Sequence, residues 1–266
     1  MKRSWRRTVV RSSPRFAAPA LAGMAAFLTA TAASAEDANG FGEKSQLIVS
    51  VDRLMPAFSY TSQTLTTTQG GATLKATESG TSAAIFFGRE PSLGVVHTLP
   101  RIAFDFTIVR HLTLGGAVAV AFGLGGTREE DFGNNNTRRS DAAKTSIIGL
   151  APRVGYVIPL ANTFAFWPRA GFAFYSVSTK SNAVGQGNIE VTTTNSDSLL
   201  SLDLDPQFVW TPIQHFFFHF GPIVNVPLSG SRSIEVANGA TSNTTKNDLS
   251  VVHFGLTAGL GGWFDL

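Results

Sequence analysis

The chain has 266 residues, of which 21 are Lys or Arg and 18 are Asp or Glu, and it contains no cysteine. That excludes a disulfide framework and a thiolate metal site. The first 35 residues hold six basic residues and no acidic one, leaving fifteen basic against eighteen acidic in the rest, so the charge gives no footing for nucleic-acid binding.

Residues 1–35 have the layout of a secretory signal. Lys2, Arg3, Arg6, Arg7, Arg11 and Arg15 precede an apolar run from Ala17 to about Ala30, and Ala33-Ser34-Ala35 supplies a small-residue cleavage pattern before Glu36. The run is short and Ala-rich, which separates it from a membrane-spanning helix. About 230 residues then remain, a length that suits one barrel or sandwich domain. No later stretch is apolar enough to cross as a helix, so any crossing is made by strands.

After a polar lead at 36–44, residues 45–58 alternate Leu47, Val49 and Val51 with Ser50 and Asp52. A Thr/Ser/Gly-rich segment, 59–95, contains a β-like run at Thr81–Gly88, read as a small hairpin above a wall. The second wall strand is 96–109, with Ile102, Phe104, Phe106 and Ile108 on one face and Arg101, Asp105 and Thr107 on the other. The third, 112–123, alternates Leu112, Leu114, Val118, Val120 and Phe122 with small residues, and a polar loop follows at 124–143. Residues 144–176 form the clearest hairpin, with even positions apolar on both arms and odd positions such as Gly149, Arg153, Arg169 and Gly171 small or charged. That is the two-residue period of a strand. A loop at 177–197, strands at 198–210 and 215–227, a loop at 229–247 and a strand at 249–266 complete the chain.

The strands number eight. Their connections are tight turns of about two to five residues at one end and polar stretches of about 20 residues at the other, the asymmetry of an outer-membrane barrel. A ten-stranded count would need Thr81–Gly88 to cross, and residues 90–100 offer no clean return. From about Gln46 to Leu266 the chain resembles the small eight-stranded outer-membrane β-barrel family (OmpA/OmpX-like, generic outer-membrane β-barrel domains). The resemblance implies an all-β, antiparallel up-and-down transmembrane barrel in a bacterial outer membrane, with short periplasmic turns and long extracellular loops. It also implies contact with outer-membrane lipid and recognition by the barrel-insertion machinery through the C-terminal strand, here closing on Trp263-Phe264-Asp265-Leu266.

Pro100, Pro152, Pro168, Pro206 and Pro222 fall inside these strands. Proline donates nothing to a ladder and marks edges or bulges. The expectation is a repeated bulge that turns the following residue, Arg101, Arg153, Arg169 or Gln207, into the lumen.

The candidate site is a lumen ion network of Asp105, Arg153, Arg169, Asp203 and Asp205, accompanied by Arg101, Gln207, His219 and Asn225. All lie opposite the apolar face, and an Arg facing lipid near the midplane would cost about 2–4 kcal/mol. Charges in a narrow lumen require partners, so the network reads as a structural plug. The sharper reading is the selectivity constriction of a narrow, porin-like passive pore. His215 and His219 lie about 13 Å apart on a strand, too far to share a metal. No catalytic residue, metal or cofactor is indicated, although some eight-stranded barrels are lipid-modifying enzymes. Phe164, Phe166, Trp167, Phe208, Trp210, Phe216, Phe218, Trp263 and Phe264, near the short-turn end, read as an aromatic girdle.

Alternation does not by itself distinguish inside from outside. A soluble lipocalin-like carrier would turn the apolar face inward around a ligand, whereas Arg and Asp opposite that face favour lipid outside. The role expected is structural or interactive, with the long loops as a possible contact surface for an extracellular ligand. The mature N-terminus is expected at Glu36, and intact-mass measurement of protein from the cell envelope checks this; retention of residues 1–35 would remove the secretory reading.

Overall fold

The alternation seen in the sequence becomes a closed antiparallel ladder. The computed structural model describes residues 40–69, 72–83, 95–123, 127–131, 137–141, 143–184, 190–238 and 241–266. In chain order its elements are β1 (Gln46–Gln69), β2 (Ala72–Ala83), a four-residue helix α1 (Val95–Thr98), β3 (Arg101–Val109), β4 (Leu112–Phe122), β5 (Thr127–Asp131), β6 (Thr137–Asp141), β7 (Lys144–Tyr156), β8 (Ile158–Ala161), β9 (Phe164–Val184), β10 (Glu190–Ile213), β11 (Phe216–Asn238) and β12 (Thr241–Asp265). The ring runs β1-β3-β4-β7-β9-β10-β11-β12, and β12 pairs with β1 from Gln46↔Asp265 to Thr66↔Asp248. It contains eight strands, each antiparallel to its neighbours.

The tight turns gather at one end. His111, between β3 and β4, and His215, between β10 and β11, take φ of 72° and 65°, the left-handed geometry that lets a short connection reverse a twisted ribbon. At the opposite end the strands continue well past the expected wall. β1 runs to Gln69 rather than residue 58 and pairs along its upper half with β2, while β3 pairs with its lower half. The segments 177–197 and 229–247, expected as loops, belong largely to the ladder, as in Ser178↔Ser196 and Ser231↔Asp248. Within 124–143, β5 and β6 pair as a separate hairpin. Thr and Ser are polar without being strand breakers, and Thr has high β-propensity, so polarity in these stretches marks the surrounding solvent and not the end of the strand. The run at Thr81–Gly88 is strand as far as Ala83, and the rest lies outside the described residues.

The second wall strand begins at Arg101, not residue 96, because residues 95–98 make one helical turn. Val96, His97 and Thr98 of that turn are buried. Pro100 closes it, since a residue before proline is pushed out of the helical region.

The prolines do not mark bulges. Register is continuous through Gly116↔Pro152, Pro206↔Pro168 and Pro222↔Leu256, and the residue after each points inward by ordinary alternation. The shifts on the ring lie elsewhere: in β1 between Val51 and Met55 and between Pro56 and Phe58, in the β3–β4 pair between Thr107 and Val109, in the β10–β11 pair between Leu200 and Ser201 and between Trp210 and Ile213, and in the β11–β12 pair between Asn225 and Ser231.

Inside and outside are settled by exposure. Phe104, Leu150, Phe172 and Phe220 are each about half exposed on the outer face, whereas Arg101 and Asp105 are 1% exposed. On β10 the outward apolar positions extend from Leu200 to Ile213, a span comparable to the roughly 9–11 residues a tilted strand needs to cross a bilayer. A carrier with its apolar face inward is thereby overturned: the apolar face points out. Two members of the expected girdle are also reassigned, for Trp167 and Trp263 are buried in the lumen, while Phe164, Phe208, Trp210, Phe218 and Phe264 face outward.

Phe172→Arg puts a charge in the lipid-facing belt and is expected to destabilise the inserted barrel by about 2–4 kcal/mol. Ser178→Arg, six residues on in β9 where the outer face is polar, is expected to change stability little. Urea unfolding in lipid vesicles, followed by gel mobility, checks both.

Candidate functional site in the barrel lumen

The lumen is filled in layers. At the short-turn end Ile48, Val157, Ala165, Trp167, Val209, Phe217 and Trp263 form an apolar floor. Its centre is Phe41, from the lead expected to be merely polar, whose ring lies 5.6, 5.1 and 5.4 Å from those of Trp167, Phe217 and Trp263.

Above the floor lies the charge layer. The guanidinium of Arg153 meets Asp105 through Nε (3.0 Å) and Nη2 (2.5 Å), and its Nη1 donates to Asp52. Arg169 donates to Asp52 (3.2 Å) and Asp205 (2.9 Å). Asp203 accepts from Arg53 (2.8 Å), Arg101 (2.7 Å) and Asn225 (2.8 Å). Arg101 also reaches Asp205 at 3.4 Å. Gln207 donates to Asp205 at 2.9 Å, and its Oε1 lies 3.1 Å from His219 Nδ1. His219 Nε2 is 3.2 Å from Asp52. The layer thus holds four arginines and four aspartates, each at most 6% exposed. It is neutral overall, as charge removed from water must be.

All nine residues singled out from the sequence lie in this layer. Asp52 and Arg53 belong to it as well and escaped the sequence reading. Asp52 is on the expected inward face of β1, but Arg53 is its neighbour and should point out. Instead both are buried, because β1 shifts register after Val51 and Arg53 takes a φ of 56°. A bulge places two consecutive side chains on one face. The hint in the sequence is an Asp-Arg pair between two apolar stretches of β1.

Two further features make room for this layer. A Cβ on Gly171 would lie 2.8 Å from Arg153 Cα, and one on Gly259 would collide with Nε2 of the His219 ring. The arginine planes also rest on the floor: Arg169 Cζ is 4.6 Å from the Trp167 ring centre and Arg153 Cζ is 5.7 Å from it, within cation–π range.

Above the charges is a second apolar layer, with Ala103, Ala119, Tyr175, Leu199 and Val251 from the wall and Val96 from α1. In it Ser59 Oγ lies 3.0 Å from His253 Nε2. That is nucleophile-to-base spacing, but a working pair also needs a third group to orient the base, and His253 Nδ1 has no hydrogen-bond partner. Among the described residues no group of three or more His, Cys, Asp or Glu side chains is placed to hold a metal.

No protein-family model matches the sequence, and neither does any curated protein. Among solved structures, the outer membrane protein OprG from Pseudomonas aeruginosa superposes with a TM-score of 0.50 at 14% identity, over 86% of this chain and 100% of that one. The fold is that of the small outer-membrane β-barrels. The outer membrane protease OmpT from Escherichia coli (TM-score 0.36, 10% identity, 84% of this chain and 98% of that one) and Ail of Yersinia pestis (0.31, 10%, 84% and 100%) also match, at scores too low to add to this.

Arg153→Met leaves Asp105 and part of Asp52 without a cation. The barrel is expected to lose about 3–5 kcal/mol of stability, the cost of breaking a buried pair from one side. Adding Asp105→Leu to the same chain should recover part of that loss. Equilibrium unfolding of the three proteins in vesicles measures the difference.

Proposed function

We propose that the chain is a bacterial outer-membrane barrel with a structural or surface-interaction role, its lumen closed by the Arg/Asp layer. The observation that carries this reading is the inversion of polarity across one wall: aromatic and aliphatic side chains outside, four paired arginines inside. A bilayer is the solvent in which that inversion is stable. The lipid-facing belt would meet outer-membrane lipid, and β12 would be the segment recognised by the insertion machinery before it closes on β1.

Closure follows from three barriers in series: the Phe41 floor, the charge layer and the layer capped by α1. None leaves a charged group facing an open path, since every lumen arginine is paired with an aspartate. Interaction would then fall to the polar strand extensions. They are stiff ribbons: Arg232 grips Asp197 through two bonds of 2.7 Å across β11 and β10, and Thr67 donates to Asn247 at 2.7 Å. Residues 241–250 of β12 alone reach about 30 Å along the strand. Rigid scaffolds presenting variable ends are where binding commonly resides.

Density-gradient fractionation of envelopes should place the protein with the outer membrane. Purified barrel in planar bilayers should give no sustained conductance, whereas Arg153→Ala with Arg169→Ala should admit a small leak. Large, stable, ion-selective steps from the unmodified protein would overturn the closed reading.

A further inference from the structure

Among the described residues α1 is the one helical turn inside the lumen, it has no strand partner, and the manner of its attachment is specific. The His97 ring stacks on His253 with centroids 5.5 Å apart and planes 23° from parallel, and it meets the edge of Tyr175 at 5.5 Å. Arg53 Nη1 donates to the His97 carbonyl at 2.5 Å. Both imidazoles are at most 1% exposed. Neither nitrogen of His97 has a hydrogen-bond partner, nor does Nδ1 of His253, whose Nε2 faces Ser59.

Such a seat accepts two neutral rings and rejects two charged ones. An imidazolium carries two N–H donors, and a buried donor left without an acceptor is expensive. The charged groups facing the pair are Arg53 from β1, Arg101 from β3 and Asp203 from β10. Asp203 is already taken by both of those guanidiniums and by Asn225. Tyr175 supplies only a ring edge, its hydroxyl lying 3.5 Å from Arg101. Each proton added would therefore join a local surplus of positive charge with no free acceptor.

We propose that α1 is a proton-released strap: as pH falls, uptake of protons by the His97–His253 pair drives α1 out of the lumen and opens the upper chamber to water as far as the Arg/Asp layer. His253 cannot be the side that moves, because β12 is paired on both edges, with β1 and β11. His97 sits on four residues with no strand partner. The released state binds more protons than the seated one, so release is favoured by acid, by up to about tenfold per pH unit for one proton and about a hundredfold for two. This goes beyond the sealed-lumen reading and does not depend on where in the cell the barrel resides.

Because the chain lacks cysteine, Leu99→Cys provides a single site for a nitroxide label just beyond α1, at a residue packed against the upper apolar layer. The labelled full chain is folded into nanodiscs, and its electron paramagnetic resonance spectrum is read from about pH 7.5 to about pH 4.5, across the range in which histidine titrates. The label should be immobile at the upper pH, gain a mobile fraction at least tenfold larger at the lower, and return on neutralisation. His97→Phe with His253→Phe keeps two stacked rings that take no proton, and its label should stay immobile throughout. If that double variant fails the gel-mobility test for folding, His253→Phe alone should show about half the logarithmic response. A label that stays immobile in acid, one already mobile at neutral pH, or one released equally from the Phe variants would overturn the proposal.

Discussion

Eight strands enclose an interior only about wide enough for side chains, and this barrel places four guanidinium and four carboxylate groups in the middle of it. Buried there, the groups are out of reach of the solvent that would screen a stray charge, so they neutralise one another at hydrogen-bonding distance. That requirement explains much of the surrounding detail. Gly171 and Gly259 give up side-chain volume where Arg153 and His219 press against the opposite backbone. Trp167 turns inward, against the usual preference of tryptophan for the membrane interface, because its ring supports two arginine planes. Arg53 accepts a left-handed backbone conformation to reach Asp203 and the carbonyl of His97.

The period of two along each strand made the architecture legible, because one face had to be apolar across the membrane and the other could not be. Parity supplies a face but neither a height nor a partner, so the pairing of Asp203 with Arg53 and Arg101, from three different strands, could not be read from spacing. Arg53 was hidden by the register shift in β1, which breaks the rule that found its neighbours. Trp167 and Trp263 were misread when residue type was given more weight than parity: both occupy odd positions, in phase with Arg169 and Gly259 on their own strands. The helical turn at 95–98 was invisible for a different reason. Four residues, two of them β-branched valines, carry no helical periodicity, and their conformation comes from the lumen they occupy. The polar extensions read as loops in the sequence because solvent, and not a turn, is the cause of their composition.

Two solvents therefore act on the same strands. In β10 the outward side chains change from Ser196 and Ser198 to Leu200, Leu202 and Leu204 without a break in the ladder with β9. The backbone is indifferent to the boundary because every donor and acceptor is met by a neighbouring strand in lipid and water alike. The position of the membrane is written in side chains alone, and the stiffness of the wall carries across it into the polar ribbons.

The division of the lumen charges among strands also bears on how the wall is put together. β1 brings one Asp and one Arg, and so does β3; β7 and β9 bring one Arg each and no acid; β10 brings two Asp and no base. A β7–β9 hairpin alone would present two positive charges to the interior, and β10 cancels them, with Arg169 directly opposite Asp205. Any partial sheet that holds β7, β9 and β10 together is electrically balanced, and β3 or β1 can join it singly without disturbing that balance. Neutrality is thus a property of any partial sheet that keeps β7, β9 and β10 together, as well as of the finished ring, so three adjacent strands already hold a matched set of charges on their inner face.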